Sequence, residues 1–131
     1  MDSILAEYKS LLMNLLSSSQ VPFDNSLHGF LPEEGGVYRI FEKGSVWQSS
    51  VYVGKTTDLR NRIYKNHFMG NREASTLKRK LIRTGQFNDE RAVKQFLQDR
   101  CLVQYVIVTD KRLRNFLEHF AVSVLKPQFN D

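Results

Sequence analysis

Apolar residues recur at intervals of three and four positions in several segments of the chain. This spacing predicts an amphipathic helix over residues 3–17, whose apolar face includes Leu12 and Leu15. Four further segments combine the same spacing with a residue suited to begin a helix. Those four helices are predicted to begin at Thr57, at Ser75, near Asp89 and at Asp110, with Gly85 ending the second and Pro127 the last.

Short β-rich runs lie between these helices. Val37–Phe41 and Val51–Val53 are joined by the polar segment Lys43–Ser49, which predicts a β-hairpin with a long loop. The continuous apolar run Cys101–Val108 predicts a buried third strand. Residues 20–35 contain prolines and glycines and are expected to form a loop. The predicted fold class is α+β, with a small, three-stranded, mostly antiparallel sheet flanked by helices.

The length of 131 residues, with 41% apolar and 25% charged positions, suits one compact domain. We expect a single domain over 1–131, with the N-terminal helix in 1–19 and the core in 36–130. The helix is expected to cover one face of the domain, and a homodimer or partner contact is the alternative. The apolar run of this helix follows Asp2 and Glu7, unlike a secretory signal, so the expected location is intracellular, in the cytoplasm.

Positive charge is concentrated in one part of the chain. The segment 55–83 holds nine basic and two acidic residues, a charge of +7, whereas the whole chain carries +5. A surface that follows a phosphate backbone has this character, and so does a solvated helix face. On the first interpretation, one predicted helix would contact backbone phosphates without reading sequence through Lys78, Arg79, Lys80 and Arg83.

Two tyrosines lie on the strands of the predicted hairpin. Side chains alternate between the faces of a strand, so Tyr38 points away from Val37, and Tyr52 points away from Val51 and Val53. If the valines face the core, both tyrosines share the other face and can meet. The alternative is that they are ordinary strand tyrosines, because tyrosine is favoured in strands.

Arg62 and Glu118 are candidates for binding a phosphate and a metal. Arg62 follows the hairpin on a predicted helix, from which its planar fork of donors can reach a phosphate beside the tyrosines. Glu118 lies on the last helix, where its carboxylate suits Mg²⁺, an ion that often takes only one or two protein carboxylates. The alternatives are a surface arginine and a surface helical pair of Glu118 with Arg114.

Five short segments, taken together and in order, resemble the GIY-YIG nuclease family, and most closely its bacterial excision-repair members and stand-alone relatives. They extend from residue 36 to residue 130. The segments are Gly36–Val37–Tyr38, with Val in place of Ile, Tyr52–Val53–Gly54–Lys55, Asp58–Arg62, Leu117–Glu118 and Lys126–Asn130.

The resemblance implies a GIY-YIG-like fold with an extra N-terminal helix, and a metal-dependent endonuclease that acts on nucleic acid, DNA in the first instance. Tyr38 would activate or position water, helped by the charge of Lys55 or Arg62 or by a hydrogen bond from Tyr52. Glu118 would hold one Mg²⁺ or Mn²⁺. The implied catalytic residues are Tyr38, Tyr52, Lys55, Arg62, His67, Glu118 and Asn130, and the implied substrate-binding residues are Gly54, Arg60, Lys78, Arg79, Lys80 and Arg83.

His67 fits this pattern imperfectly. Relatives carry a histidine one helical turn after the arginine, but here the i+4 position is Asn66 and His67 comes one place later. The helix would have to loosen for His67 to face the site; otherwise His67 is a surface residue. A non-catalytic nucleic-acid-binding module on the same fold is the alternative function.

Overall fold

The structure is a computed structural model and describes residues 2–44 and 49–130. Most of the loop predicted within the hairpin, residues 45–48, lies outside the described residues. The elements are α1 (Asp2–Ser17), β1 (Val21–Pro22), α2 (Leu27–Phe30), β2 (Gly36–Glu42), β3 (Ser50–Thr56), a π-helix (Arg60–Phe68), α3 (Thr76–Arg83), α4 (Glu90–Arg100), β4 (Cys101–Ile107) and α5 (Lys111–Leu125).

The described sheet has four strands in the order β1-β4-β2-β3, and every pairing is antiparallel. The α+β class and the hairpin are therefore confirmed, whereas the predicted number of three strands is wrong. The extra strand, Val21–Pro22, lies in the segment 20–35 that was expected to be a loop. It pairs with Leu102 and Val103 of β4. Two residues give no periodic signal, so only the pairing partner defines this strand.

Helices cover both faces of the sheet, and each face has its own apolar cluster. Val37 and Val53 pack in one cluster with residues of α1 and α5. Tyr38 and Tyr52 pack in the other with residues of the π-helix, α3 and α4. The sheet is thus buried on both sides, and β3 is an edge strand.

A β-bulge in β3 corrects the expected placement of Val51. Ile40 pairs with Tyr52 and Phe41 pairs with Ser50, which leaves Val51 as an extra residue between them. An extra residue shifts the alternation of side chains locally. Val51 therefore packs in the tyrosine-side cluster rather than with Val53.

The helix after the hairpin differs from the prediction in both its start and its winding. Thr57 does not cap it; instead, the Asp58 carboxylate accepts a hydrogen bond of 3.0 Å from the backbone N–H of Asn61. From Arg60 to Phe68 the backbone is a π-helix. Consistent with the i→i+5 bonding of a π-helix, Met69 N donates to Tyr64 O at 2.9 Å.

The remaining three helix starts are confirmed. The side chains of Ser75, Asp89 and Asp110 each accept a hydrogen bond from the backbone N–H three residues later, which is typical of an N-cap. Gly85 follows α3 with a φ of +83°, a conformation that favours glycine. Pro127 follows the end of α5, as predicted.

Helix α1 covers the sheet, as the sequence predicted. Leu12 and Leu15 are buried in the cluster that also contains Val37 and Val53. Ile4 and Leu5 on the same helix are about half exposed. A homodimer or partner contact through this helix stays a prediction. None of the helices in the described part of the chain has the length and apolarity needed to cross a membrane.

Lys78 was predicted to bind nucleic acid, and the structure shows this to be wrong. Its side chain is buried, and its Nζ donates to the carbonyls of Phe68 at 2.7 Å and Gly70 at 2.5 Å. Burial and the charge of Lys94 lower the pKa of Lys78 to about 8. Lys78 therefore fastens α3 to the end of the π-helix.

We expect Lys78→Met to lower the free energy of unfolding by about 2–4 kcal/mol, because two buried carbonyls lose their donor. Chemical denaturation followed by circular dichroism measures this change. Arg79→Met is the matched control, since Arg79 is the next residue of α3 and is exposed. Equal losses for the two variants would contradict the anchoring role of Lys78.

Candidate active site

The two strand tyrosines meet on one face of the sheet, as predicted. Tyr38 lies opposite Gly54, and Tyr52 lies opposite Ile40, so the tyrosines are diagonal neighbours with ring centroids 6.2 Å apart. A Cβ at Gly54 would lie 2.5 Å from Tyr38 Oη. Gly54, predicted to bind substrate, is buried and instead makes room for the Tyr38 ring.

The π-helix brings His67 to the tyrosines. In a π-helix residues i and i+5 lie one turn apart, so Arg62 and His67 share a face, whereas in an α-helix Asn66 would take that place. His67 is fully buried, and its Nε2 lies 2.7 Å from Tyr38 Oη. The ring centroids of His67 and Tyr52 are 5.3 Å apart. The alternative of a surface histidine is thereby excluded.

A hydrogen-bonded chain continues from His67 to the start of α3. His67 Nδ1 lies 2.8 Å from Ser75 Oγ, and Ser75 Oγ also accepts a 3.0 Å bond from the backbone N–H of Lys78. Tyr38, His67 and Ser75 are all fully buried. The cap of α3 thus fixes both the imidazole and, through it, the phenol.

Burial controls the ionisation of this chain. Desolvation raises the pKa of Tyr38, the nearby Tyr52 raises it further, and the charge of Arg62 lowers it by less. The expected help from Lys55 and Tyr52 is therefore absent at Tyr38. Burial lowers the pKa of His67 well below its ordinary range, and the charges of Arg62 and Lys78 add to this effect. At neutral pH both side chains are neutral.

Arg62 is held at the rim of the site by backbone and side-chain acceptors. Its Nη1 donates to Ala74 O at 3.1 Å, and its Nη2 donates to Thr76 Oγ1 at 3.0 Å. Thr76 in turn lines a cavity of about 260 Å³. The guanidinium is therefore bonded to a residue that lines this cavity, and its charge also acts on Tyr38 and His67.

Glu118 lines the same cavity as Thr76. The other lining residues are Tyr52, Lys80, His119, Val122 and Asn130. The alternative of a surface pair with Arg114 is wrong, because Arg114 is buried and donates to Val108 O at 3.1 Å. Among the described residues no three His, Cys, Asp or Glu side chains form a group that can hold a metal. Glu118 is the one acidic residue among the described residues that line the cavity.

Asn130 holds the end of the chain against the edge strand. Its Oδ1 accepts from Val53 N at 2.8 Å, and its Nδ2 donates to Val53 O at 2.7 Å. The backbone N–H groups of Gln128 and Phe129 donate to Ser50 and Val51 carbonyls. Asn130 thus holds Val53, which adjoins Tyr52, and it also lines the cavity that contains Glu118.

A comparison with protein families decides the classification. The GIY-YIG catalytic domain family matches residues 34–100, just over half of the chain. The chain belongs to the GIY-YIG catalytic domain family. It is accordingly an enzyme of the GIY-YIG nuclease type. The match contains Tyr38, Tyr52, Arg62 and His67, whereas Glu118 lies beyond it.

Solved structures with this fold include the N-terminal GIY-YIG endonuclease domain of UvrC from Thermotoga maritima. A point mutant bound to its catalytic divalent cation is 22% identical, covers 82% of this chain and 98% of that chain, and has a TM-score of 0.53. The same domain bound to magnesium is also 22% identical, covers 82% and 99%, and has a TM-score of 0.48. No curated protein matches the chain significantly.

Three residues implied to act in the GIY-YIG site lie elsewhere. Lys55 is exposed, and its Nζ donates to Asn115 Oδ1 on the valine side of the sheet. Arg60 donates to Leu31 O at 2.8 Å and pairs with Glu33 at 2.7 Å, so it anchors the preceding loop. Arg79 donates weakly to Arg72 O at 3.4 Å and does not line the cavity.

Three residues of the site were not found from the sequence. Ser75 was predicted only to begin a helix, and nothing in its neighbours signals the contact with His67. Thr76 holds Arg62, and His119 lies beside Glu118 with its Nδ1 3.9 Å from Oε1. The positions of Thr76 and His119 depend on helix packing across the edge of β3, which local spacing does not encode.

Proposed function

We propose that this nuclease hydrolyses phosphodiester bonds in nucleic acid, DNA in the first instance, with one divalent metal ion. The observation that carries the proposal is the convergence of Tyr52, Glu118 and the Arg62–Thr76 pair on one cavity, with the buried Tyr38–His67 pair beside it. Positive charge, a carboxylate and a protonatable pair are the groups that such hydrolysis needs.

The cavity suits a hard divalent cation. Glu118 offers carboxylate oxygen, and the cavity of about 260 Å³ leaves room for the water molecules that Mg²⁺ retains. When bound, the ion would supply Lewis-acid stabilisation of charge on the scissile phosphate. The UvrC domain bound to its catalytic divalent cation is consistent with this assignment to Mg²⁺ or Mn²⁺.

The proton path starts from two neutral side chains. With its pKa raised, Tyr38 keeps its proton and donates it to His67 Nε2, its described hydrogen-bond partner. His67 then carries its own proton on Nδ1 and donates it to Ser75 Oγ. As the Tyr38 oxygen accepts a proton from the attacking water, its own proton passes to Nε2. Tyr38 thereby acts as a base without ionising first.

Arg62 and α3 bind the substrate in this proposal. The guanidinium of Arg62, held by Thr76, neutralises charge that builds up on the phosphate. Lys80 and Arg83 line a second cavity of about 270 Å³ with Asn130, next to the one that contains Glu118. Of the four basic α3 residues predicted to contact backbone phosphates, only Lys80 and Arg83 keep that role in this proposal.

A substrate panel tests the proposal. Labelled single-stranded, duplex and branched DNA and RNA are incubated with wild type or Glu118→Ala, in Mg²⁺ or EDTA. Cutting that requires both Mg²⁺ and Glu118 would support the nuclease and identify its substrate class. Binding without cutting, in Mg²⁺ and in Mn²⁺, would favour the non-catalytic binding module.

The hydrogen-bonded chain predicts that Ser75 is a positioning residue for His67. We expect Ser75→Ala to slow single-turnover cleavage about tenfold, because Nδ1–H loses its acceptor and the tautomer that accepts from Tyr38 is disfavoured. Losing a bond to the charged form also lowers the pKa of His67, so the acid limb of the pH–rate profile should move to lower pH. Ser75→Thr, which keeps the hydroxyl, should restore the rate.

Asp89→Ala is the matched control for Ser75→Ala. Asp89 caps α4 as Ser75 caps α3, so each variant should lose about 1 kcal/mol of stability. Only Ser75→Ala should change the rate and the pH profile. The positioning role is rejected if both variants slow cleavage equally or if neither does.

A further inference from the structure

A basic cavity lies at the other end of the face of α5 that carries Glu118. Its volume is about 600 Å³. The lining residues are Lys55, Thr56, Thr57, Lys111, Arg112, Arg114 and Asn115. Four of these described lining residues are cationic and none is acidic. The proposed mechanism uses none of them.

The cavity is built where β3 ends and α5 begins. Lys55 on β3 donates a hydrogen bond to Asn115 on α5, and both residues line the cavity. Arg114 donates to the carbonyls of Val108 and Thr109, so it contributes charge while its donors are engaged. Lys111 and Arg112 are exposed at the rim, and the Arg112 guanidinium lies 5.5 Å from the Phe116 ring. A ligand that enters the cavity can therefore reach the exposed cations of α5, Lys111 and Arg112.

Helical spacing connects this cavity with the proposed metal site. Lys111, Asn115 and Glu118 are separated by four and three residues, so they follow one face of α5. Seven residues span about 10.5 Å along the helix at 1.5 Å each. Along the axis of a duplex, where each strand rises about 3.4 Å per nucleotide, this length covers about three nucleotides. Because the phosphates also wind around the axis, that count is an upper limit for one bound strand.

We propose that this cavity binds backbone phosphates of the nucleic-acid strand within about three nucleotides of the scissile phosphate. The inference rests on the proposed function. Lys111 and Arg112 contact phosphate oxygens, and Lys55 and Arg114 supply positive charge behind them. Lys80 and Arg83 on α3 form a second basic surface beside the proposed metal site. The bound strand then contacts both basic surfaces and passes Glu118 between them. The cavity contributes to binding and leaves the chemical step unchanged.

Charge reversal with a matched control tests this inference. Arg112 is the second residue of α5 and Arg91 is the second residue of α4; both are exposed, and both helices carry an aspartate N-cap. Arg112→Glu and Arg91→Glu therefore perturb their helices alike. Binding of labelled DNA is measured by fluorescence anisotropy in EDTA across a salt series, and thermal melting checks that both variants fold. Arg112→Gln provides a milder change at the same position.

We expect Arg112→Glu to weaken binding about tenfold or more and to lower the salt slope by about one, while Arg91→Glu stays within about twofold of wild type. The single-turnover rate at saturating enzyme should equal that of wild type.

The possible failures are distinguishable. If wild type binds DNA but never cuts it, the proposed function fails, and the anisotropy comparison still decides whether this surface binds phosphates. If Arg112→Glu binds as tightly as wild type, or if both variants weaken binding equally, the cavity is not a phosphate site, whether or not the protein cuts. Absence of binding by wild type to both labelled DNA and labelled RNA overturns both proposals.

Discussion

Glu118→Gln is expected to reduce magnesium-dependent cleavage by about 10³-fold or more, because in the proposed mechanism the carboxylate is the charged ligand of the metal. The substitution keeps the shape of the side chain, and Glu118 is only partly exposed beside Tyr52 and Thr76. Substrate affinity in EDTA should stay within about threefold of wild type, since the basic surfaces are unchanged. Single-turnover cleavage and anisotropy binding on one labelled substrate measure the two effects separately.

Glu7→Gln on α1 is the control for this substitution, because Glu7 is also a helical glutamate and is exposed. It should cut like wild type. Cleavage by Glu118→Gln at the wild-type rate would remove Glu118 from the metal site and would leave the cavity without an acidic ligand among the residues that line it.

Tyr38→Phe is expected to slow the chemical step by about 10²–10⁴-fold, the usual contribution of a positioned acid–base group. In the proposed mechanism the phenol oxygen accepts a proton from water and passes its own proton to His67 Nε2, which lies 2.7 Å away. Stability should fall by only about 1 kcal/mol, since His67 Nε2 loses one partner. Single-turnover rates over a pH series measure the effect, and circular dichroism checks the fold.

Tyr105→Phe is a closely matched control. Tyr105 lies directly opposite Tyr38 on β4, and its hydroxyl donates to Phe30 O at 3.2 Å, away from the cavity. Tyr105→Phe removes a hydroxyl on the same sheet face, and the single-turnover cleavage rate should change little. If the two variants cut equally fast, Tyr38 has no role in proton transfer.

The acid side of the pH–rate profile follows from His67. The imidazole must be neutral to accept a proton, and burial holds its pKa well below the ordinary value of about 6.5. Activity should therefore persist as pH falls below 6.5 and decline only as the lowered pKa of His67 is approached.

Much of the fold was predictable from local signals. Amphipathic spacing and capping residues placed α3, α4 and α5, and alternation placed the hairpin. The strand Val21–Pro22 and the short helix α2 could not be predicted, because their stability comes from contacts with β4 and the π-helix rather than from their own pattern. The bulge at Val51 depends in the same way on pairing with β2.

The site was only partly predictable for similar reasons. A period of 3.6 residues placed Asn66 beside Arg62, and only the π-helical winding turns His67 toward Tyr38. Lys78 lies three residues before the buried Leu81, so helical spacing places both side chains on the same, inward face of α3. The run of basic residues around Lys78 led instead to a prediction of an exposed side chain. Lys55 likewise alternates with Gly54 and shares the face of Val53, which its assignment to the catalytic site overlooked.

The dependence of the single-turnover cleavage rate on Mg²⁺ concentration, measured for wild type beside Glu118→Gln, tests the central claim most directly. We expect no cutting in EDTA, a rate that rises to a plateau with Mg²⁺ for wild type, and almost no rise for Glu118→Gln. A wild-type protein that binds its substrate but does not cut at any concentration of Mg²⁺ or Mn²⁺, or a Glu118→Gln rate that follows wild type, would contradict it.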